Sequence, residues 1–157
     1  MGSEKQEIYS AIPHRPPFLW IDSIISCDSE KIVTEKFIAP DLDLFKGHYP
    51  GYPIVPGVLL CEAVFQTGAL FMAKRMQYLK QTLAASGKKP VLTRIRSAKF
   101  KREVKPGETI RMHVLLEENI GNAWFFRGKV LVDDKTAVKV DFGCTLTEAA
   151  ESSENLP

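Results

Sequence analysis

Three features of the sequence have the residue types and surroundings for acid–base chemistry. Glu62 lies one and a half turns into a run that is apolar nearly all round: Val58, Leu59, Leu60, Cys61, Ala63, Val64 and Phe65. An unpartnered carboxylate is costly in such surroundings, and burial favours the neutral form of a carboxyl. A carboxyl that holds its proton near neutral pH is a good general acid. Gln66 follows at i+4 on the same helix face, where it can hydrogen-bond the carboxyl and orient it. The competing reading puts Glu62 on the one wet stripe of the helix, merely solvated, and periodicity alone leaves both open. His48 sits in Gly47-His48-Tyr49-Pro50-Gly51. Flanking Gly and Pro fix the backbone and leave room for a ligand or another chain. A neutral histidine in a stiff loop suits a general base, although an ordinary surface histidine in a turn fits the same five residues. The third feature is the junction Pro56-Gly57-Val58. The free N–H groups and positive end of a helix start can hold an anion or a developing oxyanion, and Gly57 has no Cβ to keep substrate atoms away. Plain punctuation of a loop-to-helix junction is the alternative.

Other chemistries find no support. There is no GxSxG for a serine hydrolase and no HExxH, and His14, His48 and His113 are too scattered to imply zinc. Gly121 to Lys129 superficially suggests a phosphate-binding loop. It has six residues between its glycines instead of four, and Val130 follows where Ser or Thr is needed. No GxGxxG follows a strand, so no dinucleotide is indicated. Cys27, Cys61 and Cys144 include no CxxC pair, and an odd count leaves at least one thiol free. No cofactor or metal is expected, and a reducing cytosol is the simplest compartment. His113 reads as structural within a strand, and His14 as packing where the chain approaches its first strand. Trp20, Trp124, Phe125 and Phe126 read as core or interface.

The elements that must position these groups follow from the pattern. Residues 4–11 suit a short helix ended by Pro13, and Pro16-Pro17 forces an extended approach to a strand over Phe18–Ile25. Lys31–Ile38 reads as a second strand. Residues 40–56 carry Pro40, Gly47, Pro50, Gly51, Pro53 and Pro56, a density that forbids helix and regular strand alike. A loop of that length in a compact domain is usually functional. Pro56 then stands where its missing N–H costs nothing, and Gly57–Ala73 is apolar enough to be buried on most faces. Lys74, Arg75 and Lys80 mark the wet end of that helix. Gly87–Pro90 reads as a break. Four strands follow over 91–102, 108–118, 122–133 and 136–147, joined at Pro106-Gly107, Gly121-Asn122 and Asp133-Asp134. The order predicts an α+β domain over residues 1–148, with an antiparallel sheet packed against or wrapped around one apolar helix. Residues 149–157 read as a frayed tail.

Composition agrees with a folded domain. The chain has 157 residues, 45% hydrophobic and 25% charged, which excludes intrinsic disorder and permits a core without staples. A net charge of +2 is too small to imply nucleic acid. The cations are uneven, however: Arg94, Arg96, Lys99, Lys101, Arg102 and Lys105 are opposed only by Glu103. That edge suits an anionic partner, with a wet strand face as the alternative. The first ten residues have no apolar core of a secretion signal. No run of 18 apolar residues is seen, so no membrane span is expected, the nearest candidate being broken by Glu62, Gln66 and Thr67.

Residues 47–66, GHYPGYPIVPGVLLCEAVFQ, resemble the signature of the beta-hydroxyacyl-acyl-carrier-protein dehydratases of fatty acid synthesis. Ile12-Pro13-His14-Arg15-Pro16-Pro17-Phe18-Leu19 resembles that family's opening, and Phe100 to Glu108 its later strand and turn. The resemblance spans about residues 8–148. Fourteen positions separate His48 from Glu62, as in the family's His and acid. It implies a hotdog fold and a homodimer in which His48 of one chain faces Glu62 of the other. Members often assemble as trimers of dimers. It also implies dehydration of a 3-hydroxyacyl thioester to the trans-2-enoyl thioester, without metal or redox cofactor. His48 would be the base and Glu62 the acid, Gly57 and Val58 would face the oxyanion, and Gln66 would hold Glu62. An acidic acyl carrier protein bearing a phosphopantetheine arm would dock on Arg94, Arg96, Lys99, Lys101 and Arg102. A thioesterase or a non-catalytic thioester-binding protein on the same fold is the alternative, and the complete His48, Gly57, Glu62, Gln66 set argues against the latter. Tyr49, Tyr52, Trp20 and the stretch from Met76 to Lys89 depart from the family pattern and bear on chain length and carrier choice.

Overall fold

A computed structural model describes residues 2–79 and 87–148. Helix α1 (Ser3–Ala11) stops before Pro13. Its Ile8, with the following Ile12, is fully buried, and Glu7 pairs with Lys74. The strand expected over Phe18–Ile25 forms only at its far end, as β1 (Ser23–Cys27). Leu19, Trp20 and Ile21 are buried, but the backbone of Phe18 and Trp20 bonds to a helix side chain and not to a neighbouring strand. Their apolar character reports burial rather than strand. After a turn in which Asp28 accepts the Glu30 and Lys31 amides, β2 (Lys31–Phe37) returns antiparallel to β1.

The expectation that residues 40–56 hold no helix is too strict. Residues 41–49 are free of proline, and Asp43–Lys46 closes one turn of 3-10 helix there. The rest of the segment is irregular. Helix α2 runs from Gly57 to Tyr78, with Lys74 and Arg75 at its wetter end, while Lys80 lies outside the described residues. In length and composition α2 does pass as a membrane span, contrary to expectation, but 67% of its most apolar window is buried inside the protein. That is the mark of a core helix.

Four long strands complete the sheet: β3 (Lys88–Phe100), β4 (Thr109–Ile120), β5 (Ala123–Val132) and β6 (Lys135–Glu148). The expected break over Gly87–Pro90 shrinks to Gly87, at φ +65°, and Lys88–Pro90 already belong to β3. Pro90 is tolerated because β3 is an edge strand, where a missing N–H breaks no central ladder. Asp133 and Asp134 both take positive φ and make the two-residue turn from β5 to β6. The expected tail over 149–157 lies outside the described residues.

All strand pairs are antiparallel, in the order β1-β2-β4-β5-β6-β3. One face of this sheet covers α2. Val138, Val140, Phe142, Cys144 and Leu146 alternate inward along β6 as the period-two pattern requires. Two small residues let helix and sheet approach. A Cβ on Gly128 would stand 2.2 Å from Val64, and one on Gly68 would stand 2.8 Å from the Phe142 ring. The Thr34 and Thr67 hydroxyls meet at 2.7 Å inside this layer, and Thr67 also donates to the Ala63 carbonyl. The result is the α+β hotdog arrangement, a sheet wrapped around one long helix.

Candidate active site

His48 leaves the 3-10 turn half-buried. Its Nδ1 is 2.9 Å from the Ile54 carbonyl oxygen. A carbonyl only accepts, so Nδ1 carries the proton and Nε2 presents a free lone pair. The Tyr49 ring stacks on the imidazole at 4.3 Å. The ring borders a cavity of about 600 Å³, with Pro56, Gly57, Val58 and Phe100 on its walls. The first backbone bond closed by α2 is from the Leu59 N–H to the Pro56 carbonyl. The amides of Gly57 and Val58 therefore precede the helical ladder, at its positive end, beside that cavity. Gly57 is small for a reason the sequence did not show: a Cβ there would meet the Phe100 ring at 2.7 Å. Val58 is 71% exposed, an apolar side chain left facing outward at this end of the helix.

Glu62 does not line the His48 cavity. Its Oε1 accepts a hydrogen bond from Gln66 Nε2 at 2.9 Å. Gln66 is fully buried, and both ends of its amide are engaged. It also donates to the Phe18 carbonyl at 2.8 Å and accepts the Trp20 N–H at 2.8 Å. It therefore supports both Glu62 and the segment ahead of β1. The sequence reading missed His14 here. Its Nε2 stands 3.6 Å from Glu62 Oε1, and its Nδ1 is buried without a partner. Burial pushes the His14 pKa down, Glu62 opposes this, and Arg15 adds to it. Only the Pro13-His14-Arg15-Pro16 setting hinted at a fixed position. Below the acid, Cys144 is buried, and desolvation with the Glu62 charge raises its pKa to about 12.

The basic run divides. Lys101 and Arg102 border the His48 cavity, but Arg102 is bound to Glu108 at 2.6 Å and to the Val132 carbonyl. Arg94 lies over Gly143 on the outer sheet face, and Arg96 falls at an irregularity of the edge strand. Lys99 belongs to a cross-strand row on that outer face: Lys99 opposite Lys139, Lys139 opposite Lys129, Lys129 opposite His113. The run is thus two separate surfaces and not one patch. Among the described residues, no three His, Cys, Asp or Glu side chains come together as a metal site.

Comparison with known proteins agrees with this architecture. The chain is 35% identical over 145 residues to the 3-hydroxyacyl-acyl-carrier-protein dehydratase FabZ of Rickettsia massiliae, covering 92% of this chain and 96% of that protein. Its fold is that of the dehydratase heterocomplex ApeI:P from Xenorhabdus doucetiae, with TM-score 0.77, 15% identity, and coverage of 92% and 93% of the two chains. A thioesterase from Haemophilus influenzae also shares it, at TM-score 0.59, 12% identity, and coverage of 84% and 82%. The model of the FabA-like domain matches residues 12–141, from the segment that carries His14 to the strand that backs Glu62, and the chain belongs to that family.

Proposed function

We propose that this chain is a 3-hydroxyacyl-acyl-carrier-protein dehydratase of fatty acid biosynthesis, with residues 1–148 as its single domain. The observation that carries the chemistry is the His48 ring, held with Nε2 free beside the unladdered amides of Gly57 and Val58. His48 Nε2 takes a proton from C2 of the bound thioester. The electron pair moves onto the thioester oxygen, where the Gly57 and Val58 N–H groups stabilise it, each donor worth ~2.7–4 kcal/mol of barrier. The C3–OH bond then breaks as Glu62 gives its proton to the hydroxyl. Water leaves, the pair returns from oxygen, and the trans C2=C3 bond forms. The reverse sequence hydrates an enoyl thioester. The alkyl tail lies against the apolar side of α2, gaining ~0.8 kcal/mol per buried CH₂.

Glu62 does not line the His48 cavity of its own chain, so the complete site needs two. The edge strand β3 supports this reading. Val91, Leu92, Ile95 and Phe100 are 40–56% exposed along an edge with no neighbouring strand beyond it among the described residues. Exposed apolar edges of this kind are partner surfaces. His48 of the partner subunit would face Glu62 across that seam, and three such dimers would form the larger assembly. Lys101, at the cavity mouth, receives the acidic carrier and its phosphopantetheine arm. Free thiols at Cys27, Cys61 and Cys144 suit a reducing, cytoplasmic compartment.

A mixing experiment tests the composite site. His48→Ala and Glu62→Gln proteins are each assayed for hydration of carrier-linked crotonyl thioester, then unfolded together and refolded. Each alone is inactive. A mixed dimer has one wild-type site and one doubly altered site, so random pairing restores about a quarter of wild-type activity. No recovery from folded mixed dimers refutes the shared site. Release of free thiol by the wild-type protein, without hydration, makes it a thioesterase.

A further inference from the structure

We propose that His14 positions the acid: acting through Nε2, it makes Oε1 of Glu62 the held oxygen and leaves Oε2 to react. This rests on the role proposed above for Glu62. Gln66 Nε2 approaches Oε1 at 2.9 Å and His14 Nε2 approaches the same atom at 3.6 Å. Among the described residues, no hydrogen bond or ion pair engages Oε2. The amide of Gln66 can only donate, so Oε1 is an acceptor and the carboxyl proton belongs on Oε2.

His14 completes that arrangement if its own proton is on Nε2, and the surroundings of Nδ1 favour this tautomer. Nδ1 is buried with no partner. An orphaned buried N–H is rarer and costlier than an under-used acceptor, so Nδ1 is the bare nitrogen. The backbone at His14 is clamped by its neighbour: Arg15 donates to the carbonyls of Tyr9, Ile12 and His14, each at 2.8 Å. The Phe18 ring is stacked on the imidazole, with centroids 6.5 Å apart. A shift of well under 1 Å brings Nε2–H to hydrogen-bond distance of Oε1. Two donors from different elements then fix the carboxyl plane, and the acidic proton points at the leaving hydroxyl.

The test compares His14→Phe, His14→Gln and Glu62→Gln in the full chain, measuring kcat and KM for hydration of carrier-linked crotonyl thioester. His14→Phe keeps a flat ring but no donor, and kcat is expected to fall about tenfold with KM little changed, part of what a positioned acid supplies. His14→Gln keeps an N–H at the right reach and recovers most of kcat. Equal damage in both variants, or full kcat in His14→Phe, overturns the proposal. If His14→Phe does not fold, His14→Ala with and without added imidazole makes the same comparison: recovered kcat supports the proposal and no recovery overturns it. Glu62→Gln keeps the readings apart, since activity in that protein defeats the role of Glu62 itself.

Discussion

Replacing Gln66 by Met removes three hydrogen bonds at nearly constant volume and separates anchoring from chemistry. The Trp20 N–H is left buried without an acceptor, because Trp20 is only 4% exposed. The Phe18 carbonyl belongs to a residue that is half exposed, so water replaces much of its lost partner. An orphaned buried amide costs ~1–3 kcal/mol, and a replaced bond ~0.5–1.5 kcal/mol, so the protein should lose roughly 2–4 kcal/mol. At ~2–4 °C per kcal/mol for a chain of this size, Tm falls by roughly 5–15 °C. Below the new Tm the fold persists but Glu62 loses its strongest tether. A general acid supplies ~10²–10⁴ in rate, and a carboxyl free to rotate should forfeit about ten- to a hundredfold in kcat. Urea titration gives the stability, and enoyl-thioester hydration well below Tm gives the rate. A loss under ~0.5 kcal/mol would refute the shared anchor, since surface changes alone reach that size. Full stability loss with unchanged kcat would leave Gln66 an anchor of the chain and remove it from the site.

Three further expectations test other parts of the structure. Gly128→Ala drives a methyl into Val64 at the helix–sheet contact and should cost ~1–3 kcal/mol in urea titration, whereas Gly47→Ala, with nothing within 4 Å, should cost less. Cys144, with its pKa raised to about 12, should resist maleimide in the native protein at pH 8 and react at once in denaturant; rapid native labelling would contradict its burial. Lys101→Glu should raise KM for carrier-linked substrate, with little effect on a free pantetheine thioester or on stability. Arg102→Ala should lower Tm instead, because its charge is already committed to Glu108 and the Val132 carbonyl.

Much of the fold was legible because local patterns and tertiary demands agree. The period-two run of β6, the apolar barrel of α2 and the turn residues at Asp133-Asp134 each point the same way as the packing. Reading failed where a side chain substitutes for backbone. Phe18 to Ile21 looks like a strand because it is buried, but Gln66 supplies the bonds a neighbouring strand would have made. Proline density near His48 hid a short helical turn that needs only a few free residues. At the proposed site, the sequence singled out Glu62 by its anomalous setting and His48 by its stiff loop. It could not show that Glu62 stays out of the cavity that His48 borders, because that depends on how the loop packs against α2. Nor could it bring His14 beside Glu62, a contact between residues 48 positions apart that no spacing rule encodes.

The outer row of Lys99, Lys139, Lys129 and His113 gives this fold a sensitivity to its ionic medium. Neighbouring strands lie ~4.8 Å apart, and like charges set directly opposite one another work against the sheet. Because ~0.1 M salt screens charges beyond ~10 Å and weakens nearer exposed pairs, raising ionic strength should tighten this sheet. His113 adds to the row on acidification. Burial, then Lys129 and Arg111, push its pKa below the ordinary value of 6.5, so the unfolded chain takes up that proton first. Its contribution to stability is complete above about pH 6.5 and drains away as the pH falls toward and through the lowered folded pKa. Dilute buffer and mild acid therefore strain the same four residues in the same direction, and added salt relieves both.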